Sequence, residues 1–302
     1  MSVPFLFLIF SLVTLGSKIF SKLCSNEVAH NSIAKFSLIL IVNSLVACVF
    51  FYISSGFIIA INLSTFIYSI VYATIVALSL ILQLIVYRYA TISNVNVITS
   101  VTTMVCTSIV GWCVFFEKID TDGILKLVLM SIAVILVFFD QRKLVDNKES
   151  RDKRKGALLP LIIIIVGITI VGCANTVILK FFTNSDTVTN DNSFFFFTNV
   201  ILCFGATISF LIACLLNKGE FCSSTTLLHP KKLVSIVGNT ICSNILTIIT
   251  VLIIGRIDVA LYSPISSAVA VIIGLICSLL FKEKVGVFSY TAATIACVAV
   301  CL

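Results

Sequence analysis

The chain has 302 residues, of which 60 % are hydrophobic and 11 % charged, with a net charge of +7. Soluble domains carry roughly twice that charged fraction, so this composition and a mean hydropathy of +1.19 exclude an ordinary water-soluble fold. Apolar runs of about 18 or more residues are the signature of helices that cross the hydrocarbon core, and the alternating segments of about ten residues that mark a membrane β-barrel are absent.

Ten such runs follow one another, at residues 2–21, 34–54, 63–87, 95–116, 123–139, 157–182, 193–216, 232–254, 259–281 and 285–302. The expected fold class is an all-α polytopic membrane protein with ten transmembrane helices. The loops between the runs are short and carry helix breakers: Ser54-Ser55-Gly56, Asp120 to Gly123, Thr183 to Asn192, and His229-Pro230. Pro230 suits the first turn of the eighth span, where a missing N–H costs nothing. One break differs in kind. Asp140 to Lys155 is dense in charge, and we read it as a solvated linker.

The two sides of that linker echo each other. Glu117-Lys118 follows the run ending at Phe116, and Lys282-Glu283-Lys284 follows the run ending at Phe281, the two glutamates lying 166 residues apart. Pro4 and Gly16 are twelve apart, as are Pro160 and Gly172. Lys22 and Lys180 close the corresponding spans, and Arg88 and Arg256 precede the fourth and ninth. These echoes predict a five-helix repeat at 1–140, a linker at 141–155 and a second five-helix repeat at 156–302. Five is odd, so the second repeat crosses in the opposite sense. Inverted repeats recur among secondary transporters, with the substrate site near the bilayer midplane. Sixteen Lys and Arg fall on the side of the odd-numbered loops and four on the other. That asymmetry puts the odd loops in the cytoplasm and both termini outside.

Polar side chains in hydrocarbon face a cavity or a neighbouring helix. The candidates for substrate contact are Tyr72 and Gln83 on span three, Asn96, Thr99 and Thr103 on span four, and Asn175 on span six. Asn239, Ser243 and Asn244 on span eight join them, as do Tyr262 and Ser266 on span nine. Small hydroxyl residues also serve close helix packing, the preferred reading for a single Ser or Thr. The amides read equally as packing groups or as substrate contacts, because a full amide is expensive to bury unpaired. Glu117, Lys118, Glu283 and Lys284 mark the repeat corners. There a glutamate caps or hinges a short loop, through the neighbouring lysine or the start of the following helix, in preference to gating access. Lys126 lies a turn or two inside its span and is expected to snorkel to the surface.

The other chemistries are missing. All thirteen Asp and Glu lie in loops or at span ends, so no mid-span acid offers a proton relay. The twelve cysteines form no C-x-x-C and read as small apolar residues. Neither a metal cluster nor a nucleophile elbow nor a phosphate loop occurs, so no cofactor or metal is expected.

The acidic corners Phe116-Glu117-Lys118 and Phe281-Lys282-Glu283-Lys284, with the small-polar start Ser263-Pro264-Ile265-Ser266-Ser267 of span nine, resemble the drug/metabolite transporter superfamily in its EamA-like ten-helix form. Phe116 and Lys282 stand where that pattern has glycine, and Ile98 aligns with Pro264. The resemblance implies a non-enzymatic, multi-pass carrier, exporter or exchanger of small metabolites or drugs, expected in the plasma membrane as a monomer or homodimer. It partners a small-molecule substrate and the lipid bilayer, not nucleic acid. Members often hold both termini in the cytoplasm, opposite to the charge count. The alternatives are a flippase for a lipid-linked substrate and, from another class, a polytopic membrane enzyme.

Overall fold

The structure, a computed structural model, describes residues 3–28, 33–60, 62–86, 92–117, 121–146, 158–184, 191–216, 224, 229–281 and 287–301. These form α1 (Val3–Val28), α2 (Ile33–Ser54), α3 (Leu63–Val86), α4 (Ile92–Val114) and α5 (Thr121–Asp146). They continue with α6 (Leu158–Thr183), α7 (Asp191–Leu216), α8 (Pro230–Ile254), α9 (Val259–Leu280) and α10 (Val287–Cys301). No strand occurs among the described residues. Among the described residues, five helical segments are long and apolar enough to cross a membrane: Val3–Ser21, Ile33–Ser54, Val166–Thr183, Asn192–Leu216 and Lys232–Ile254.

The side chains are distributed as a helical membrane protein requires. Leu8, Leu12, Val49, Phe204 and Leu215 point outward, while Ser37, Ser44, Thr107, Thr198 and Thr240 are buried. Several buried hydroxyls close on their own helices, as Thr198 does on the Phe194 carbonyl (2.9 Å) and Thr240 on that of Ile236 (2.9 Å). That back-bonding lets a Ser or Thr sit in an apolar helix without an orphaned donor.

Helix α5 runs on past the apolar run, through Arg142 and Lys143 to Asp146, into the segment read as linker. Gln, Arg, Lys and Leu are all good helix formers, and helix propensity does not stop where hydropathy does. Pro230 is the first residue of α8, and the Lys232 and Leu233 amides bond back to the His229 carbonyl. At the end of α2, Gly56 adopts φ +66°. The Phe57 amide bonds the Tyr52 carbonyl and the Gly56 amide that of Ile53. This is the Schellman arrangement, and its usual apolar contact is the edge-to-face pair Tyr52–Phe57 at 5.3 Å.

Phe116 ends α4 in the left-handed region at φ +52°, where a side chain is strained. It is 87 % exposed, so its ring packs little. We predict that Phe116→Gly raises the thermal midpoint, with a gain of up to about 1 kcal/mol once the extra backbone entropy of glycine is deducted. A lower midpoint in detergent would disprove the strain.

Packing divides the chain into two compact units. One holds Met1–Ser11, Leu78–Lys180 and Val251–Leu302, the other Leu12–Ala77 and Phe181–Thr250. The first unit has a core of Met104, Ala133, Ala268, Val271, Ala292 and Ala299, drawn from α4, α5, α9 and α10. The small alanines bring these helices close, so cohesion here comes from contact area. In this unit α4 and α9 run antiparallel, because Ser263 meets Met104 while Val259, earlier on α9, meets Glu117 beyond the end of α4.

In the second unit α2 and α7 are antiparallel neighbours. Cys48 reaches the Phe196 carbonyl at 3.9 Å, and Asn192 donates to that of Ser54 at 3.0 Å. Phe51 stacks on Phe195 at 5.1 Å between those points. Helix α8 lies along α2, with Ile236 against Ile39 and Thr240 hydrogen-bonded to Asn43.

Candidate functional site

The first unit gathers polar groups where α4, α6 and α9 meet. Thr107 bonds the Thr103 and Met104 carbonyls at 2.9 and 3.0 Å, and its hydroxyl also contacts that of Ser263. Ser263 donates to the Met104 carbonyl at 3.3 Å, and Ser266 donates to its own helix at the Ser263 carbonyl (3.0 Å). Pro264, inside α9, removes one backbone donor from this segment. On the other flank Thr169 of α6 donates to Thr102 at 2.6 Å. Gly172 brings the two helices so close that a Cβ there would lie 2.8 Å from Thr103 Oγ1. Three residues on, the amide oxygen of Asn175 is buried without a hydrogen-bond partner. Tyr262 lies between two rings of α1, Phe7 (stacked) and Phe10 (edge-on), both at 6.4 Å.

Beside this region is an ion pair that caps two helices. Glu117 Oε1 accepts the Val259 amide at 2.9 Å, the first N–H of α9. Asp258 holds the N-cap position of α9 but makes no side-chain cap bond. A carboxylate from the end of α4 therefore takes the role that a local cap residue would fill. Lys180 Nζ stands 4.0 Å from Glu117 and donates to the carbonyls of Ile254 (3.2 Å) and Ile257 (3.4 Å), the exit of α8. The lysine side chain is 12 % exposed and the glutamate 5 %. One buried pair thus fixes both sides of the α8–α9 turn. The sequence reading looked for the partner of Glu117 in Lys118 or the following helix; the helix it caps is α9, 142 residues on.

The candidates of the second unit have a different setting. Ser17 of α1 donates to Asn239 Oδ1 at 3.4 Å and lies 3.5 Å from the Ser243 hydroxyl. The polar stripe of α8 thereby joins α8 to α1, with Gly238 admitting the ring of Phe20. Asn244 is buried, and its Nδ2 has no partner. Tyr72 sits in an aromatic cluster with Phe194 at 5.2 Å and Phe195 at 6.0 Å, joined by Phe182 stacked on Phe194 at 4.2 Å.

Thr103, Asn175, Tyr262 and Ser266 therefore belong to one unit, and Tyr72, Asn239, Ser243 and Asn244 to the other. Gln83 lies on α3, and Asn96 and Thr99 on α4, with side chains outside the described ones. Lys118, Glu283 and Lys284 lie outside the described residues. The partners that sequence reasoning missed are Ser17, Asn43 and Lys180. Only Lys180 left a signal, as the echo of Lys22. Among the described residues no three His, Cys, Asp or Glu side chains converge as metal ligands.

No family model matches the chain, and no curated protein matches it. Among solved structures 27 chains match. One, described as "Crystal structure of protein", superposes with a TM-score of 0.55 at 11 % identity, over 97 % of this chain and 95 % of the other. That likeness concerns the fold alone.

Proposed function

We propose that the chain is a secondary membrane carrier, or exchanger, of small polar or amphipathic metabolites or drugs, working by alternating access. In this reading it has ten spans in two inverted five-helix repeats, 1–140 and 156–302, and is a relative of the drug/metabolite transporters of EamA-like form. One observation carries the proposal. The most extensive helix–helix contacts are α2 with α7, α4 with α9 and α5 with α10, each helix with the one five places on. Where contacts give the direction, for α2–α7 and α4–α9, the partners are antiparallel. An inverted repeat produces this pattern, because mates beside a pseudo-two-fold axis in the membrane plane meet in opposite directions.

Phe116 adds support. It holds a left-handed conformation where the superfamily pattern has glycine, the residue that adopts it without strain. Asn175 and Asn244, each with an unmet amide atom, are the strongest candidates for substrate contact, since a substrate hydroxyl or amide would satisfy what the protein leaves open. With every carboxylate in a loop or at a span end, exchange or facilitated transport is favoured over proton coupling.

The test is counterflow in proteoliposomes preloaded with a panel of amino acids, nucleosides, sugars and amphipathic amines. We expect saturable uptake of at least one compound, accelerated by the same compound inside and unaffected by a protonophore. Uptake abolished by the protonophore would end the uncoupled form of the proposal, and uptake no faster than in protein-free vesicles for the whole panel would count against the carrier itself.

A further inference from the structure

The second unit holds a cluster of buried hydroxyls where α3 meets α7. Thr65 and Ser69 of α3 are 0 % exposed, and Tyr72 and Ala73 continue the same buried face. Phe66, Ile67, Ile70 and Val71 look outward. Ser69 donates to the Thr65 carbonyl at 2.8 Å and to the Phe194 carbonyl of α7 at 3.1 Å. Thr198, 2 % exposed, donates to that same Phe194 carbonyl at 2.9 Å. Two hydroxyls on one carbonyl oxygen are necessarily close to each other. Thr65, one turn before Ser69, shares its buried face and its hydrogen bond. The Thr65 hydroxyl itself is buried with no hydrogen-bond partner. Helix α3 begins at Leu63, so no carbonyl of its own helix lies a turn behind Thr65. The back-bonding that satisfies Thr198 is therefore closed to it.

Ser69 and Thr198 have each spent their one proton on carbonyl oxygens. What they still offer is lone pairs, and Thr65 adds an oxygen that nothing engages. Buried polar groups are normally satisfied, so a sealed cluster rich in acceptors, with one oxygen unmet, lacks a positive or proton-donating component. We infer that Thr65, Ser69 and Thr198, with the Phe194 carbonyl beside them, form a binding site for a dehydrated alkali-metal cation. Hard cations take oxygen ligands, and hydroxyl and carbonyl oxygens stand in for the water an ion sheds. These residues carry no charge of their own, which suits a single positive charge; a divalent ion calls for carboxylates. Both helices that supply the oxygens belong to one compact unit. Binding of the ion is measured without transport, so the inference stands apart from the carrier reading.

The test uses the full chain in nanodiscs of phosphatidylcholine, in sodium, potassium or choline chloride at one ionic strength. Thermal unfolding is followed for wild type, Thr65→Val and Thr65→Ser, together with equilibrium binding of radiolabelled sodium and of rubidium standing in for potassium. The expected result is a saturable rise of several degrees in the wild-type midpoint when sodium or potassium replaces choline, the larger rise identifying the ion. Thr65→Val keeps the outline of the side chain and removes the oxygen. In choline its midpoint equals or exceeds that of wild type, because the unmet hydroxyl is gone. It loses most of the rise and binds the ion several-fold more weakly, whereas Thr65→Ser retains both. Equal wild-type midpoints in all three salts, with neither label bound, overturn the inference and leave Thr65 bonded to water only. A rise in Thr65→Val as large as in wild type overturns it as well.

Discussion

Glu117→Ala lowers the stability of the chain by about 3 kcal/mol or more, the range seen when one partner of a buried ion pair is removed. The loss has two parts. The first N–H of α9 loses its acceptor, and Lys180, largely buried beside the carbonyls of Ile254 and Ile257, loses the carboxylate it faces. Glu117→Gln separates them, because its amide oxygen still accepts from Val259 while the charge is gone; it costs less than Glu117→Ala. Lys180→Met leaves a carboxylate at a helix N-terminus, where the macrodipole favours it, and costs less than Glu117→Ala for that reason. The double variant Glu117→Gln with Lys180→Met costs clearly less than the sum of the two single changes, since it leaves no uncompensated charge. Thermal or denaturant unfolding of the purified protein measures all four. Strictly additive losses would show that the 4.0 Å contact carries no energy.

Gly172→Ala is the second large effect. The new methyl would lie 2.8 Å from Thr103 Oγ1, closer than real Cβ contacts come, and 3.1 Å from its Cγ2, tighter than most of them. Threonine in a helix divides between two χ1 rotamers, and since both Oγ1 and Cγ2 crowd the new methyl the clash is relieved by a rotamer change together with some movement of α4 from α6. Overpacking of this kind costs about 1–3 kcal/mol. It also strains the Thr169–Thr102 hydrogen bond on the same seam. Thr103→Ala removes both clashing atoms and leaves a Cβ at 3.6 Å, an ordinary contact. We therefore expect Thr103→Ala, mild by itself, to restore most of what Gly172→Ala loses. A double variant as unstable as Gly172→Ala would place the cause elsewhere.

The polar groups within each unit were legible to different degrees. Ser243 and Asn239 stood out as polar candidates, and each is turned to a neighbouring helix, as is Thr107. Their partners could not be read. A Ser or Thr that satisfies itself on its own helix places almost no demand on what lies opposite, so Ser17 and Ser263 left no mark as partners. Tyr72 shows the converse. As a residue it suits ligand stacking as well as core packing, and only the neighbouring Phe194 and Phe195 distinguish the two.

Glu117 misled for a related reason. A glutamate at a corner reads as capping the next helix, because sequence proximity is the only guide to its reach. Its actual acceptor role lies across the fold, at α9.

By itself the sequence determined the ten helices, most of their ends and the burial of small polar groups under an apolar exterior. These follow from local chemistry: run length, breakers such as Gly56 and Pro230, and the cost of a bare backbone in hydrocarbon. Only the tertiary structure decided which helices pair and that Glu117 caps α9. Those depend on how helix faces settle against one another over more than a hundred residues of chain, and in an apolar medium every Leu- or Ile-rich face offers a similar contact until packing selects among them.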